Sequence, residues 1–253
     1  MNEKPRALLG RILGEAVLSP FFTEVIHTQN FTRTREHLQR GGKAVIYTNH
    51  IHRFDSEPIA KTMMQYVAPL DEHAYVMIAM QYRDPDREEN AAVVKTMNLM
   101  QGMFGFNFLP MVQDKPVEKA RYPKWRRINK DSFDKAVTVL QEEPGGIVCV
   151  TPEGTRSTTG ALLEAKTGFE KLLERGGDDV IVQPMALVHT QIKPLIMRTR
   201  IIVPEPFTYE EIKAEHDANP DLSVTDLAML QIARELPPQN QGPYAEMLAS
   251  YNS

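Results

Sequence analysis

The chain has 253 residues, 42% hydrophobic and 25% charged, enough to bury one large core. A net charge of -4 and an isoelectric point near 6.0 argue against general nucleic-acid binding. The single cysteine, Cys149, excludes an intramolecular disulfide and a multi-cysteine metal site, and no linker, low-complexity tract or fixed-period repeat divides the chain.

In chain order, Leu8, Leu9, Ile12, Leu13, Ala16 and Val17 recur at helical spacing with Lys4, Arg6 and Arg11 between them. Residues 1–30 are therefore expected to carry an amphipathic helix with a basic fringe, suited to an anionic membrane surface or to packing over a sheet. Glu3, Arg6, Arg11 and Glu15 interrupt any signal-peptide core. No apolar run approaches the roughly 18 residues of a membrane span. These features predict a reducing, cytoplasmic setting with membrane contact that is peripheral, at the inner face.

Short apolar runs predict strands over 43–48, 74–79, 106–112, 146–150, 180–188 and 195–203. Amphipathic stretches predict helices over 56–67, 87–103, 129–141 and 165–175. Strands alternating with helices imply a single α/β domain, with a core over 31–205. In 195–203, Arg198 and Arg200 alternate with apolar neighbours, the pattern of a half-exposed or edge strand. Residues 206–253 form a helical tail in this scheme, with Ser223-Val224-Thr225-Asp226 as a helix start and Pro237-Pro238 as a stop.

The first chemical landmark is Asn49-His50-Ile51-His52-Arg53-Phe54-Asp55, directly after an apolar run. Five positions along a helix is about 500° of rotation, so His50 and Asp55 would diverge on one and can meet only across a bend. That places His50 on the loop leaving a strand and Asp55 at the N-cap of the next helix, with Ser56, Glu57 and Pro58 in its first turn. His52 extends the string to His-x-His-x-x-Asp, but a metal site needs further ligands and the sequence supplies no second cluster. His189, after Ala186-Leu187-Val188, could approach from a neighbouring strand end, where ligands gather in open α/β sheets; it is assigned no role. Cys149 lies in an apolar strand, which hides a thiol and raises its pKa, so core packing is expected there.

The second landmark, Thr151-Pro152-Glu153-Gly154-Thr155-Arg156-Ser157, follows the strand at 146–150. Glycine permits a tight turn, hydroxyls and amides can donate to phosphate oxygens, and Arg156 offers a bidentate fork. The spacing is not that of a Walker loop.

Together, Asn-His-x-x-x-x-Asp, Pro-Glu-Gly-Thr-Arg-Ser about a hundred residues later, and Lys166-Thr167-Gly168 resemble the glycerol-3-phosphate and lysophosphatidic-acid acyltransferase family over residues 43–188. Pro184-Met185-Ala186 resembles its fourth motif. The resemblance implies the glycerolipid acyltransferase fold, a mixed, largely parallel sheet flanked by helices. It implies His50 as general base and Asp55 as the carboxylate that orients it, with Glu153, Gly154, Thr155 and Arg156 on the acceptor phosphate. Asn49, His52, Pro110 and Lys166 are then candidates to line the pocket.

The implied reaction moves a fatty acyl group from acyl-CoA or acyl-carrier protein to a hydroxyl of a phosphorylated glycerol lipid. Lysophosphatidate to phosphatidate is favoured, without an acyl-enzyme, cofactor or metal. Glycerol 3-phosphate or another lysophospholipid is the alternative acceptor. A thioesterase or lipid hydrolase using the same pair, and a non-catalytic lipid-binding module, are the rival functions. The chain departs from the family pattern after Pro110, where an arginine is usual and Met111-Val112-Gln113-Asp114 stands. Lys115, Arg121, Lys124, Arg126 or Arg127, in an expected basic loop over 115–130, could replace that charge.

Overall fold

A computed structural model of the chain describes residues 22–52, 55–67, 73–80, 84, 94–95, 98, 101, 106–193 and 196–251. The helix expected near the N-terminus lies outside the described residues, and the one expected over 87–103 lies largely outside them.

One mixed sheet of eight strands organises the described residues. They are β1 Phe22–Ile26, β2 Lys43–Thr48, β3 Ala74–Ala79, β4 Asn107–Met111, β5 Ile147–Val150, β6 Val180–Lys193, β7 Ile196–Ile202 and β8 Phe207–Thr208. Their order is β1-β7-β6-β2-β5-β3-β4, with β8 beside the start of β6. Pairings from β6 through β2, β5 and β3 to β4 are parallel, whereas β7 and β8 run antiparallel to β6. This is the mixed, largely parallel α/β sheet expected.

The central strands are continuous apolar runs because both faces of the sheet are covered. Alternate side chains of β2 enter different cores. Ala44 and Ile46 join Phe31 and Leu38 of α1 (Phe31–Gln39) and Ala60 and Met63 of α2 (Ser56–Tyr66). Val45 and Tyr47 face the other way, onto α4 (Trp125–Glu142), α5 (Gly168–Gly176) and α7 (Val224–Ala233). Cys149 is buried in the first of these cores, its Sγ 3.6 Å from the Met63 Sδ, and burial pushes its thiol up to about 12.

Three expectations change. The strand over 195–203 is not an edge: β7 lies between β6 and β1, and β1 was not foreseen. The period of two was sound, since Thr199 and Ile201 are buried while Arg198 and Arg200 face out, each 3.1 Å from Glu24 of β1. Because β1 and β8 both belong to the sheet, it crosses the boundaries expected at residues 30 and 205. The stretch 115–130 is not a loop. It forms α3 (Pro116–Arg121), with proline in its first turn, and the start of α4. Between them Tyr122 precedes Pro123 and leaves the helical region, as steric contact with a following proline demands.

The opposite edge is β4, which tolerates Pro110 because, among the described residues, no strand pairs with its outer side. Helix α4 covers that edge with polar contacts. Asn129 pairs both ends of its amide with the Val112 backbone, and the Ser132 hydroxyl donates to the Pro110 carbonyl.

The tail comprises α6 (Tyr209–Ala218), α7 and α8 (Tyr244–Tyr251), the first two opening with capping boxes at Thr208 and Ser223. It returns to the segment after β5. The Leu162 amide donates to the Asn240 carbonyl, the Asn240 side chain to the Gly160 carbonyl, and the Ala165 amide to the Tyr244 hydroxyl. Gly242 makes this fit possible, with φ of +56° and a position where a Cβ would stand 2.1 Å from the Leu162 oxygen. Gly242→Ala is therefore expected to lower stability by about 2 kcal/mol or more, adding steric overlap to left-handed strain. The midpoint of urea unfolding measures it; an unchanged midpoint would show that the tail does not grip this segment.

Candidate active site

β2, β5 and β6 all point their C-terminal ends toward the same rim of the sheet, where ligands collect in open α/β folds. Asn49, just past β2, is buried and pairs its side-chain amide with both the N–H and the C=O of Leu187 in β6, at 2.8 and 3.0 Å. It prolongs the β2–β6 ladder by one side chain. Its expected place in the pocket lining gives way to this structural task.

From there the chain bends, and the Asp55 carboxylate folds back onto the bend. Its Oδ2 accepts from the His50 Nδ1 and from the amides of Ile51 and His52, each at 2.8 Å. Its Oδ1 lies 2.5 Å from the Nε2 of His189. Asp55 does open α2, but it takes helical dihedrals (φ -62°, ψ -28°) and its side chain makes no capping bond. The capping role expected from sequence is replaced by this reversed one. Burial by itself would raise the Asp55 carboxyl; the hydrogen bonds from His189, His50 and the His52 amide outweigh it and bring the carboxyl down to about 2.

The His50 ring is a quarter exposed and uses only Nδ1. Its Nε2 meets no hydrogen-bonding partner among the described residues. With its Nδ1–H donated to the carboxylate, the ring turns the Nε2 lone pair outward, where it can accept a proton. His189, given no role from sequence, is thus a member of the site. Position alone could have suggested it, since β6 continues past the end of β2. The His52 ring stands edge-on to that of His189, with centroids 5.6 Å apart. Among the described residues no group of three or more His, Cys, Asp or Glu is arranged to hold a metal.

The second landmark leaves β5 and is strapped to the first. Glu153 is fully buried: its Oε1 accepts from the His50 amide and its Oε2 from the Leu163 amide, both at 2.8 Å. The Ser157 amide donates to the His50 carbonyl at 2.8 Å. His50 is therefore held on both sides of its peptide by the same loop. Glu153 was expected on the acceptor phosphate; with both oxygens occupied by amides, it braces the loop instead. Burial raises its carboxyl to about 7, against the lowering by the two amides and with the Asp55 charge adding to the rise.

Gly154, Thr155 and Arg156 lie at the outer side of this loop. Gly154 is exposed with φ of +66°, a conformation glycine adopts without strain. A Cβ there would come 3.4 Å from the Lys166 side chain, so the turn passes close beside that lysine. The Lys166 amide donates to the Pro152 carbonyl. Arg156 and Lys166 are exposed cations on one loop system, and Arg156 makes no ion pair with another described residue.

After β4, most of the candidate stand-ins for the missing arginine have partners of their own. Asp114 pairs with Lys119 and feels the charge of Lys166, both of which hold its carboxyl below the usual range. Lys119 also lies over the Trp125 ring, as does Arg126. Lys115 bonds Gln113, Arg121 approaches Asp84, Arg127 pairs with Asp131, and Lys124 caps α4 without a side-chain bond. Pro110, half-buried in the edge strand, lies three strands from β2.

The sequence over residues 106–188 matches the family model described as Acyltransferase, a span that contains the Glu153–Arg156 loop and begins after His50. No curated protein matches the sequence. Among solved structures, the chain is similar to the crystal structure of the 1-acyl-sn-glycerophosphate (LPA) acyltransferase PlsC from Thermotoga maritima. The TM-score is 0.51 at 14% identity, over 90% of this chain and 79% of that one. The likeness in sequence is thus to an acyltransferase model over residues 106–188, and the likeness in fold extends over most of the chain.

Proposed function

We propose that the protein transfers a fatty acyl group from acyl-CoA or acyl-carrier protein to the free hydroxyl of lysophosphatidate, giving phosphatidate. The observation that carries this reading is His50, held through Nδ1 by Asp55, with its Nε2 open beside a loop that presents Arg156 and Lys166. The acceptor hydroxyl gives its proton to Nε2 as its oxygen attacks the thioester carbonyl. The tetrahedral intermediate expels the thiolate, which takes the proton back from His50. No bond to the protein forms. Asp55 stabilises the transient imidazolium and, with its carboxyl near 2, stays ionised throughout. Arg156, with Lys166 on the same loop system, takes the phosphate, and the exposed Gly154 and half-buried Thr155 line its approach.

Peripheral contact with the inner face of a membrane, from the cytoplasm, belongs to the same proposal, because acceptor and product both partition into bilayers. Among the described residues no helix is long and apolar enough to cross a membrane.

Purified protein given labelled oleoyl-CoA with lysophosphatidate or with glycerol 3-phosphate is expected to make phosphatidate from the former. Free fatty acid as the only product would identify a hydrolase. In the same assay His50→Ala should lower turnover at least a hundredfold, in line with the roughly 10²–10⁴-fold contribution of a positioned base; a variant keeping a tenth of the activity would rule that role out. Arg156→Ala is expected to raise the acceptor KM about tenfold or more while the donor KM stays within about twofold. An unaltered acceptor KM would remove Arg156 from the phosphate.

The Glu153 brace predicts a pH dependence of stability. Its carboxyl titrates near 4.5 when unfolded and at about 7 when folded. Between those values the folded state holds the extra proton, so this contribution is complete below about 4.5 and is lost as pH rises through 7. Glu153→Gln cannot ionise and should flatten the urea midpoint against pH in that window, by no more than about 3 kcal/mol. A slope identical to wild type would mean that folding does not raise the Glu153 carboxyl.

A further inference from the structure

Two histidines flank Asp55, and they differ in what is left free. His50 engages one nitrogen; His189 engages both. The His189 Nε2 meets Asp55 Oδ1 at 2.5 Å, and its Nδ1 lies 2.9 Å from the hydroxyl of Thr199, which stands opposite it in the β6–β7 register and is fully buried. The His189 ring is 11% exposed, against 25% for His50. With no lone pair free toward solvent, His189 is not a base. It is placed to orient.

We propose that His189, itself set by Thr199, is a positioning residue that keeps the Asp55 carboxylate turned toward His50. The proposal rests on the general-base reading of His50. The network assigns the protons: Nε2–H of His189 donates to Asp55, and the Thr199 hydroxyl donates to the Nδ1 lone pair. Without His189, Oδ1 becomes a buried carboxylate oxygen with no donor. Such an oxygen is costly, and the carboxylate lowers that cost by rotating or by drawing in water. Either response takes Oδ2 off the line to the His50 Nδ1. The hydrogen bonds of Oδ2 come from its own loop, whereas that of Oδ1 comes from β6, so His189 is the contact that ties the carboxylate to the sheet.

The test measures steady-state kinetics on the full chain with oleoyl-CoA and lysophosphatidate. His189→Ala is expected to lower kcat tenfold or more with both KM values within about twofold. His189→Gln keeps an N–H donor at the height of Nε2 and should recover most of the loss. Thr199→Val should lower kcat less than His189→Ala does, and Thr199→Ser should restore it. In ¹⁵N-histidine-labelled protein, the ring N–H resonance of His50 should shift in His189→Ala and return in His189→Gln. That signal requires no turnover, so it judges the positioning role even if wild type transfers no acyl group, the outcome that refutes the proposed reaction instead. If His189→Ala does not fold, the Gln and Val variants carry the same comparison. Wild-type kcat in His189→Ala, or a His50 resonance indifferent to His189, overturns the proposal.

Discussion

A single buried carboxylate, that of Asp55, dictates the conformation around it. Removing an ionised carboxyl from water is tolerated only where donors replace the water. Asp55 has four: two amides of its own loop and two imidazoles, one just past β2 and one within β6. This gives the spacing of the His-x-x-x-x-Asp motif a physical meaning. The carboxylate closes on the amides three and four residues before it, and the next ring back along the chain is then within reach. A shorter interval would not let the chain turn, and a longer one would put the amides elsewhere. The geometry resembles an anion nest whose anion is supplied by the chain itself.

Glu153 repeats the device less completely. It bridges two loops through amides, but among the described residues only two donors reach it and no cation holds its charge down. The two carboxylates therefore part in opposite directions from their ordinary values, Asp55 downward and Glu153 upward. The result is a division of labour. One carboxylate holds its charge beside the His50 imidazole, and the other lends a rigid joint to the loop bearing Arg156.

The central architecture was legible wherever composition answered to burial. β2 and β3 have the bounds expected, because each is built on an uninterrupted apolar run, 44–47 in the first and 74–79 in the second. Where burial is one-sided the pattern misled. β1 is five residues with Glu24 at its centre, and the paired charges that explain that glutamate, Arg198 and Arg200, come from far along the chain. The density of charge over 115–130 concealed two helices whose exposed faces carry it. At the site, His50 and Asp55 were readable because their partnership is local. His189 and Thr199 were not, because their roles depend on register between strands. Glu153 was assigned by its neighbours in the motif, and only its surroundings revealed that both oxygens were already taken.

Asn49 acquires a larger meaning in this light. By clasping the Leu187 peptide it fixes where β6 stands relative to the loop that bears His50, two residues before His189. Side chains along a strand alternate between faces, so a slip of one residue would carry His189 to the far side of the sheet. Asn49 thus acts as a vernier, converting the coarse pairing of two strands into the sub-ångström alignment of two imidazoles about one carboxylate. An inserted or deleted residue between Leu187 and His189 would therefore break the site, whereas a change in length of a loop outside this register would not.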